Sequence, residues 1–140
     1  SSFVKPTTVK TNSVYTLDVN VQHYVVVILN KVDVVYGNEA RNAFNRYNRE
    51  KYYGQTIESS TVALNDDEKL LLLGKFPNAQ AAIDYVQKAK PIAASQILPW
   101  LKADKYKFSI ISEANLQTVT GTKDFNAYQS FLDQNLPVKF

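Results

Sequence analysis

The stretch from Lys69 to Lys90, KLLLLGKFPNAQAAIDYVQKAK, decides the fold because it joins a continuous apolar run to an amphipathic segment. The leucines Leu70–Leu73 are apolar on both sides of an extended chain, which is typical of a central strand covered on both faces. After a Gly-Lys-Phe hinge, small and apolar residues recur at helical spacing, namely Ala79, Ala82, Ile83, Val86 and Ala89. Asn78 precedes them as a predicted N-cap. The stretch therefore predicts a buried strand followed by its covering helix.

A second run of this kind lies upstream. The segment His23–Leu29, HYVVVIL, is also apolar on both sides and predicts the first strand of the core. The alternating segment Tyr15–Val21 precedes it without a turn residue, so we expect an extended arm that runs straight into this strand. Beyond it the apolar period becomes helical, which predicts a helix from Asn38 to Tyr52 with Gly54 as its C-terminal cap.

Two further strands are predicted. Ile57–Leu64 favours an extended structure that forms a hairpin with the leucine strand across the polar turn Asn65–Glu68. Pro91 and Pro99 bracket a separate helical turn, since proline disfavours the interior of a helix. The alternating segment Tyr106–Ile111, YKFSII, predicts the fourth strand.

A helical tail follows the fourth strand. One short helix is predicted to begin at Ser112, and the next has Thr122 or Asp124 near its start. The resulting order of β, α, β, β, α, β predicts an α+β ferredoxin-like sandwich with strands one and three at its centre. We expect residues 1–20 to form a linker or extended arm, and residues 21–140 to form a single domain with a C-terminal helical extension.

This order raises the question of what covers the sheet, because two helices cover only one face of four strands. The second face needs the Tyr15–Val21 arm, the tail from Leu116 to Phe140 or a partner, since a large exposed apolar face is unusual for a monomer. If the arm or the tail buries the side chains of Val26, Ile28, Leu71 and Leu73, the second face is covered by the chain itself and is not available as a binding site.

Composition narrows the class of protein. A chain of 140 residues with 45% hydrophobic content fits one domain with one core. Its net charge of +3 is too small, and its basic residues too scattered, to indicate a nucleic-acid partner. The absence of cysteine excludes disulfides, zinc-thiolate sites and cysteine nucleophiles. No apolar run reaches membrane-helix length. Since there is no Met, we expect that Ser1 is not the native start and that the chain was cut from a larger protein.

No segment carries a catalytic, metal or cofactor signature. His23 is the only histidine, and its place at the start of a strand favours a structural role. The acidic run Asp66–Glu68 lacks the spacing of a calcium loop and favours a solvated turn. The four glycines do not form a phosphate-binding loop. The third strand lacks the aromatic platform on which an RNA-recognition motif stacks bases, so we expect no nucleic-acid partner. Because none of the other signatures is present either, we expect no enzyme and no cofactor.

The candidate functional residues therefore lie on surfaces. Basic side chains on the first helix form either a solvated face or a docking surface for an acidic partner or an anionic envelope component. Two tyrosines at the end of that helix are candidate exposed anchors. On the fourth strand, alternate residues point away from the helices. The resulting candidates are Arg41, Arg46, Arg49, Lys51, Tyr52, Tyr53, Lys107 and Ser109.

Two families are similar to parts of the chain. Gly74-Lys75-Phe76 followed by Ala82 resembles the Gly-x-Phe-x5-Ala hinge of SPOR domains, which are periplasmic βαββαβ modules that bind peptidoglycan glycan strands. The first strand, with Val25–Leu29, lacks the polar residues that those domains show there. This resemblance implies a glycan-binding module as an alternative function.

A broader resemblance runs from His23 onward. The segments HYVVVIL, FNRYNREKYY, LLLGKFPNAQAAIDYV, YKFSIISEANLQTV and KDFNAYQSFLDQN resemble the C-terminal domain of the PorW/SprE lipoproteins of Bacteroidetes. That resemblance implies a periplasmic, outer-membrane-associated parent protein needed for type IX secretion and gliding motility, with the lipid anchor outside this chain. It also implies a non-catalytic assembly role with protein partners in the cell envelope.

Overall fold

The computed structural model describes residues 9–12 and 14–140. Within them the fold is mixed α+β, with two antiparallel sheets and four α-helices. The strands are β1 (Val9–Thr11), β2 (Thr16–Asp18), β3 (His23–Asn30), β4 (Glu58–Ala63), β5 (Glu68–Phe76) and β6 (Tyr106–Ser112). The helices are α1 (Val34–Lys51), α2 (Ala79–Ile92), α3 (Glu113–Thr122) and α4 (Phe125–Asn135). A π-helical turn (Ala93–Ile97) and a 3-10 turn (Ala103–Lys105) lie between α2 and β6.

The main sheet has the strand order β4-β5-β3-β6, and every neighbouring pair is antiparallel. The two strands with apolar side chains on both sides, β3 and β5, therefore lie at the centre, which confirms their predicted positions. The predicted hairpin is also confirmed, because β4 pairs with β5 across the turn at Asn65. The small sheet joins β1 to β2.

The first face of the main sheet packs against α1 and α2. The ring of Phe44 on α1 lies 6.0 Å from that of Phe108 on β6, measured between centroids. Gly37 of α1 lies directly over Leu29 of β3, since a Cβ atom added there would sit 3.9 Å from a methyl group of that leucine. Alternate residues of β3, beginning at Val25, thus face these two helices.

The second face is apolar and also buried. Its buried residues on β3 and β5 are Val26, Ile28, Leu70 and Leu72, and on β6 they are Ser109 and Ile111. The expectation that grouped Val26 and Ile28 with Leu71 and Leu73 is wrong, because Val26 pairs with Leu72 and Ile28 with Leu70, and residues paired across strands share a face. Leu71 and Leu73 are buried on the first face instead.

Helix α3 covers this second face. The hydroxyl of Ser112 accepts a hydrogen bond from the backbone N–H of Asn115 at 3.4 Å, so the helix begins where β6 ends and the chain reverses direction. At this end, Tyr24 on the second face donates to Glu113 at 3.0 Å. At the other end, the side chain of Asn65 in the hairpin turn donates to the carbonyl of Lys123 at 3.1 Å. The apolar side of the helix is buried in the core through Leu116 and Val119.

The arm and α4 pack together beside β6, which has only β3 as a strand neighbour. The hydroxyl of Tyr128 in α4 donates to the carbonyl of Ile110 in β6 at 2.6 Å. The ring of Tyr15 in the arm contacts that of Tyr128, with centroids 5.4 Å apart. The side-chain amide of Asn115 accepts from the N–H of Thr16 at 3.2 Å and donates to its carbonyl at 2.7 Å. Tail and arm therefore complete the core from within the chain.

Three expected element boundaries are wrong. Helix α1 begins at Val34 instead of Asn38. It ends where the N–H of Tyr52 bonds to the carbonyl of Asn48, and Gly54 is not in the left-handed conformation expected of a cap. Helix α2 continues through Pro91 and passes into the π-helical turn, so this proline does not separate two helices.

The arm also differs from its expected course. A backbone hydrogen bond from Val21 to Asp18 closes a turn between β2 and β3, so the arm does not run straight into the first core strand. Three apolar residues of the arm are nevertheless buried, namely Tyr15, Leu17 and Val19. Residues 1–8 and 13 of the predicted linker lie outside the described residues.

The predicted N-caps are confirmed. The side chain of Asn78 accepts a hydrogen bond from the N–H of Ala81, and Ser112 caps α3 as described above. For α4 the cap is Asp124, whose side chain accepts from the N–H of Ala127. Each cap satisfies an N–H group that has no partner within its own helix.

Gly74 allows a bulge in β5. His23 pairs with Phe76 whereas Val25 pairs with Leu73, so β5 contains one more residue than β3 in this interval. Gly74 has a φ of 131°, and a Cβ atom placed on it would lie 3.0 Å from the backbone nitrogen of Phe76. Only glycine adopts this conformation without strain.

We expect Gly74→Ala to lower the free energy of unfolding by about 2 kcal/mol or more, because the added methyl group meets backbone at a positive φ. Urea unfolding followed by circular dichroism measures this loss. The matched control is Gly121→Ala in α3, where no atom lies within 4 Å of the added carbon. That variant should be neutral or slightly stabilising, and equal stabilities of the two variants would contradict the role assigned to Gly74.

Candidate docking surface on the first helix

The solvent-facing side of α1 forms a continuous stripe. Val35, Asn42, Arg46 and Arg49 are separated by intervals of seven, four and three residues, which place them on one side of a helix. All four are exposed. At a rise of about 1.5 Å per residue the stripe is roughly 20 Å long. It lies opposite the buried residues of the helix, which are Gly37, Ala40, Ala43, Phe44, Tyr47 and Asn48.

The beginning of this stripe is apolar. Val34 and Val35 are 62% and 64% exposed, and Tyr36 is 54% exposed. Trp100, which follows the π-helical turn, is 43% exposed, and its ring centroid lies 5.9 Å from that of Tyr36. Two segments far apart in the chain thus bring four exposed apolar side chains to one end of α1. Tyrosine and tryptophan are the residues most often found at the energetic centre of protein interfaces.

The other end of the stripe is basic. The side chains of Arg46 and Arg49 on the stripe, and of Lys51 on another side of the last turn, are exposed and make no ion pair or hydrogen bond with any of the described residues. Arg41 has a different role, because its guanidinium donates to the hydroxyl of Ser59 at 2.9 Å and to the carbonyl of that residue at 2.7 Å. It attaches α1 to the edge strand β4. Of the predicted basic group, three cations are therefore available to a partner.

The two predicted tyrosine anchors differ in their surroundings. Tyr53 is 88% exposed. Tyr52 is half-buried, because its ring stacks on Tyr85 with centroids 5.4 Å apart and contacts Tyr47 edge-on. Burial raises the pKa of Tyr52 to about 12. Tyr52 thus belongs to an aromatic cluster between α1 and α2, and Tyr53 alone is presented to solvent.

The two predicted residues of β6 also lie in different environments. Ser109 is fully buried because the tail covers the second face, and its hydroxyl has no hydrogen-bond partner among the described residues. It is therefore not accessible to a docking partner. Lys107 is exposed, but it lies beside α4 and away from the stripe on α1.

His23 is the first residue of β3 and is buried, so it is not exposed on any of these surfaces. Its Nδ1 lies 2.8 Å from the carbonyl of Val21 and must carry the hydrogen, while its buried Nε2 has no partner among the described residues. Burial lowers the pKa of His23, and the Val21 carbonyl and the carboxylate of Asp18 oppose that shift. This arrangement suits a neutral structural imidazole.

The acidic run Asp66–Glu68 forms the predicted turn. The side-chain oxygen of Asn65 accepts from the N–H groups of Asp67 and Glu68 at 3.0 and 2.8 Å. Across residues 9–12 and 14–140, no group of three or more His, Asp or Glu side chains is placed to hold a metal ion. No helix in the described part of the chain is both long and apolar enough to cross a bilayer.

Comparison with protein-family models, curated proteins and solved structures found no match to this chain. The PorW/SprE and SPOR resemblances accordingly stay predictions from sequence segments alone.

Sequence reasoning found the basic end of the stripe and missed its apolar end. The signal was present in Val34-Val35-Tyr36, an apolar triplet that lies just before the predicted helix and outside its apolar period. Trp100 had no comparable signal, because its contact with Tyr36 depends on how the π-helical turn packs against α1.

We expect stability to decline as the pH falls below about 6.5, the ordinary pKa of histidine, because the unfolded chain then binds a proton that folded His23 resists. The decline continues down to the lowered pKa of the folded state and does not exceed about 1.4 kcal/mol per pH unit for one group. Urea unfolding between pH 7.5 and 5 measures it. The control is His23→Asn, which lacks the titrating group and should flatten the curve over that interval. Identical slopes for the two proteins would contradict this account.

Proposed function

We propose that this chain is a non-catalytic protein-interaction module that docks a partner on the solvent-facing stripe of α1. The observation that carries the proposal is the pairing of exposed Tyr36 and Trp100 beside exposed Val34 and Val35. Monomers rarely leave such residues together on one surface unless a partner covers them. A pair of amphipathic rings supplies contact area at a low cost in conformational entropy.

The charge of the stripe indicates the kind of partner. No carboxylate in the described part of the chain pairs with Arg46 or Arg49, so a partner with acidic side chains at one end of its contact surface would neutralise them. The apolar group would bury aromatic or aliphatic side chains of the same partner. The proposal is therefore an acidic protein surface with an apolar anchor.

The cellular setting follows from the sequence resemblance. We infer that the module belongs to a periplasmic, outer-membrane-associated lipoprotein of the PorW/SprE type, with protein partners in the type IX secretion and gliding machinery. We also infer a ferredoxin-like core, which the strand order β4-β5-β3-β6 and the two βαβ crossovers support.

We expect a photo-crosslinking amino acid at Val35 to capture a discrete partner in cells, and the same amino acid at exposed Asp84 on α2 to capture none. Against the captured partner, Trp100→Ala should weaken binding about 30-fold, as truncation of an interface anchor does. Tyr53→Ala removes a more exposed aromatic ring just beyond the other end of α1 and should leave the affinity unchanged. Charge reversal at Arg46 and Arg49 should slow association most at low salt.

The surface assignment fails if Val35 gives no crosslink that Asp84 lacks, or if Trp100→Ala and Tyr53→Ala bind alike. Circular dichroism of each variant checks that the fold is intact.

A second candidate function is glycan binding of the SPOR type, and one groove favours it. The groove lies beside Gly74 on the second face and has a volume of about 400 Å³. Tyr24 supplies a half-buried ring, and the rest of the lining is largely polar, with Gln22, Glu58, Ser60 and Lys75 among its residues. Aromatic rings beside polar groups suit sugars, whose faces are apolar and whose edges carry hydroxyls.

If this alternative holds, the chain sediments with purified peptidoglycan that has been stripped of stem peptides, and Tyr24→Ala reduces the bound fraction severalfold. Trp100→Ala is the matched control, because Trp100 does not line the groove. Absence of binding to stripped peptidoglycan would exclude glycan binding and leave the docking proposal unaffected.

A further inference from the structure

A cavity of about 540 Å³ lies beside β6, between α4, the C-terminal segment and the end of α2. Its volume is in the range of small-molecule sites in proteins. Four aromatic side chains form much of its wall, namely Tyr106, Phe108, Phe125 and Phe140. None of the residues of the α1 stripe lines it. Any function of this cavity is therefore separate from docking on α1.

The cavity is lined by three lysines and two carboxylates, so its charged groups sum to one positive charge. Both of its carboxylates already accept a hydrogen bond from a neighbouring amide, Glu68 from Asn65 at 3.0 Å and Asp133 from Gln129 at 2.9 Å. Lys139 donates to the backbone carbonyl of Asp133. The ammonium groups of Lys90 and Lys107, both exposed residues that line the cavity, make no ion pair or hydrogen bond with any described residue.

We propose that this cavity binds a small molecule with a carboxylate group on an apolar body. The aromatic walls would take the body, since burying apolar surface is favourable, and Lys90 and Lys107 would hold the carboxylate. A cation would meet three lysines against two carboxylates, and each carboxylate already accepts a hydrogen bond. Phosphorylated ligands are disfavoured because none of the lining residues is an arginine or a glycine, the residue types that recur in phosphate cradles.

The position of α4 along β6 explains why there is a cavity beside this strand. The hydroxyl of Tyr128 bonds to the carbonyl of Ile110, so α4 packs closely on the later half of β6. The first half, from Tyr106 to Phe108, lines the cavity instead. The aromatic side chains here are largely buried and present little of their surface to the space, with Phe108 5% and Phe125 4% exposed.

The test is a titration of the full chain, labelled with ¹⁵N, with octanoate and with 3-phenylpropionate, followed by NMR. Amide shifts should concentrate in β6, α4 and the C-terminal segment. Each acid should bind about tenfold more tightly than its neutral alcohol, 1-octanol or 3-phenylpropanol, because the alcohol forgoes the charge-assisted contact. The tighter of the two acids identifies the body as aliphatic or aromatic, and either result supports the proposal.

Variants distinguish specific recognition from adsorption to an apolar surface. The double variant Lys90→Gln, Lys107→Gln should lose most of the preference for the acid, whereas Lys88→Gln, an exposed lysine of α2 that does not line the cavity, should keep it. All three positions are exposed, so the fold should tolerate the changes. The proposal is overturned if shifts are absent or dispersed, if acid and alcohol bind alike, or if the double variant behaves as Lys88→Gln. Trp100→Ala should not alter acid binding, so this result is independent of docking on α1.

Discussion

The burial of both faces of β3 and β5 is the constraint on which the rest of the structure depends. A strand with Val26 and Ile28 on one side and Val25 and Val27 on the other is stable in water only between two apolar layers. Helices α1 and α2 supply one layer. The second comes from α3, which begins at the residue where β6 ends and turns back across the sheet. The helical tail is therefore part of the core, and a partner is not needed to cover the sheet.

Because both faces of the sheet are covered, the candidate functional surfaces lie elsewhere in the fold. An open apolar sheet face would have been the obvious docking site, and its closure leaves the outer side of α1 and the spaces around β6 as the accessible features. The two have different chemistry. The α1 stripe presents large exposed rings and unpaired arginines over roughly 20 Å, which suits a protein surface. The cavity beside β6 is concave and lined in part by largely buried aromatic rings, which suits a ligand that can enter it.

The sequence predicted those features that depend on a few neighbouring residues. Leu70–Leu73 and His23–Leu29 are apolar on both sides, and this pattern alone indicates central strands. Asn78 and Ser112 cap helices through bonds to residues three positions later, which is again local. The start of α1 at Val34 was not predictable in this way, because exposed valines at a helix start contradict the amphipathic pattern. The prediction that Pro91 separates two helical segments was wrong, since α2 passes through this proline into the π-helical turn. For the candidate site, Arg46 and Arg49 follow from composition and spacing, but the pairing of Tyr36 with Trp100 is created only by the fold.

The contacts between the arm and the tail bear on where the folding unit begins. Tyr15 packs on Tyr128 and Phe131, and Asn115 bonds to both backbone groups of Thr16. A fragment starting at residue 21 would expose the rings of α4 and lose both hydrogen bonds between Asn115 and Thr16. Amide hydrogens of the arm near Thr16 should therefore exchange together with those of α3 and β6, as members of one cooperative unit. The sequence pattern alone had indicated a peripheral extension.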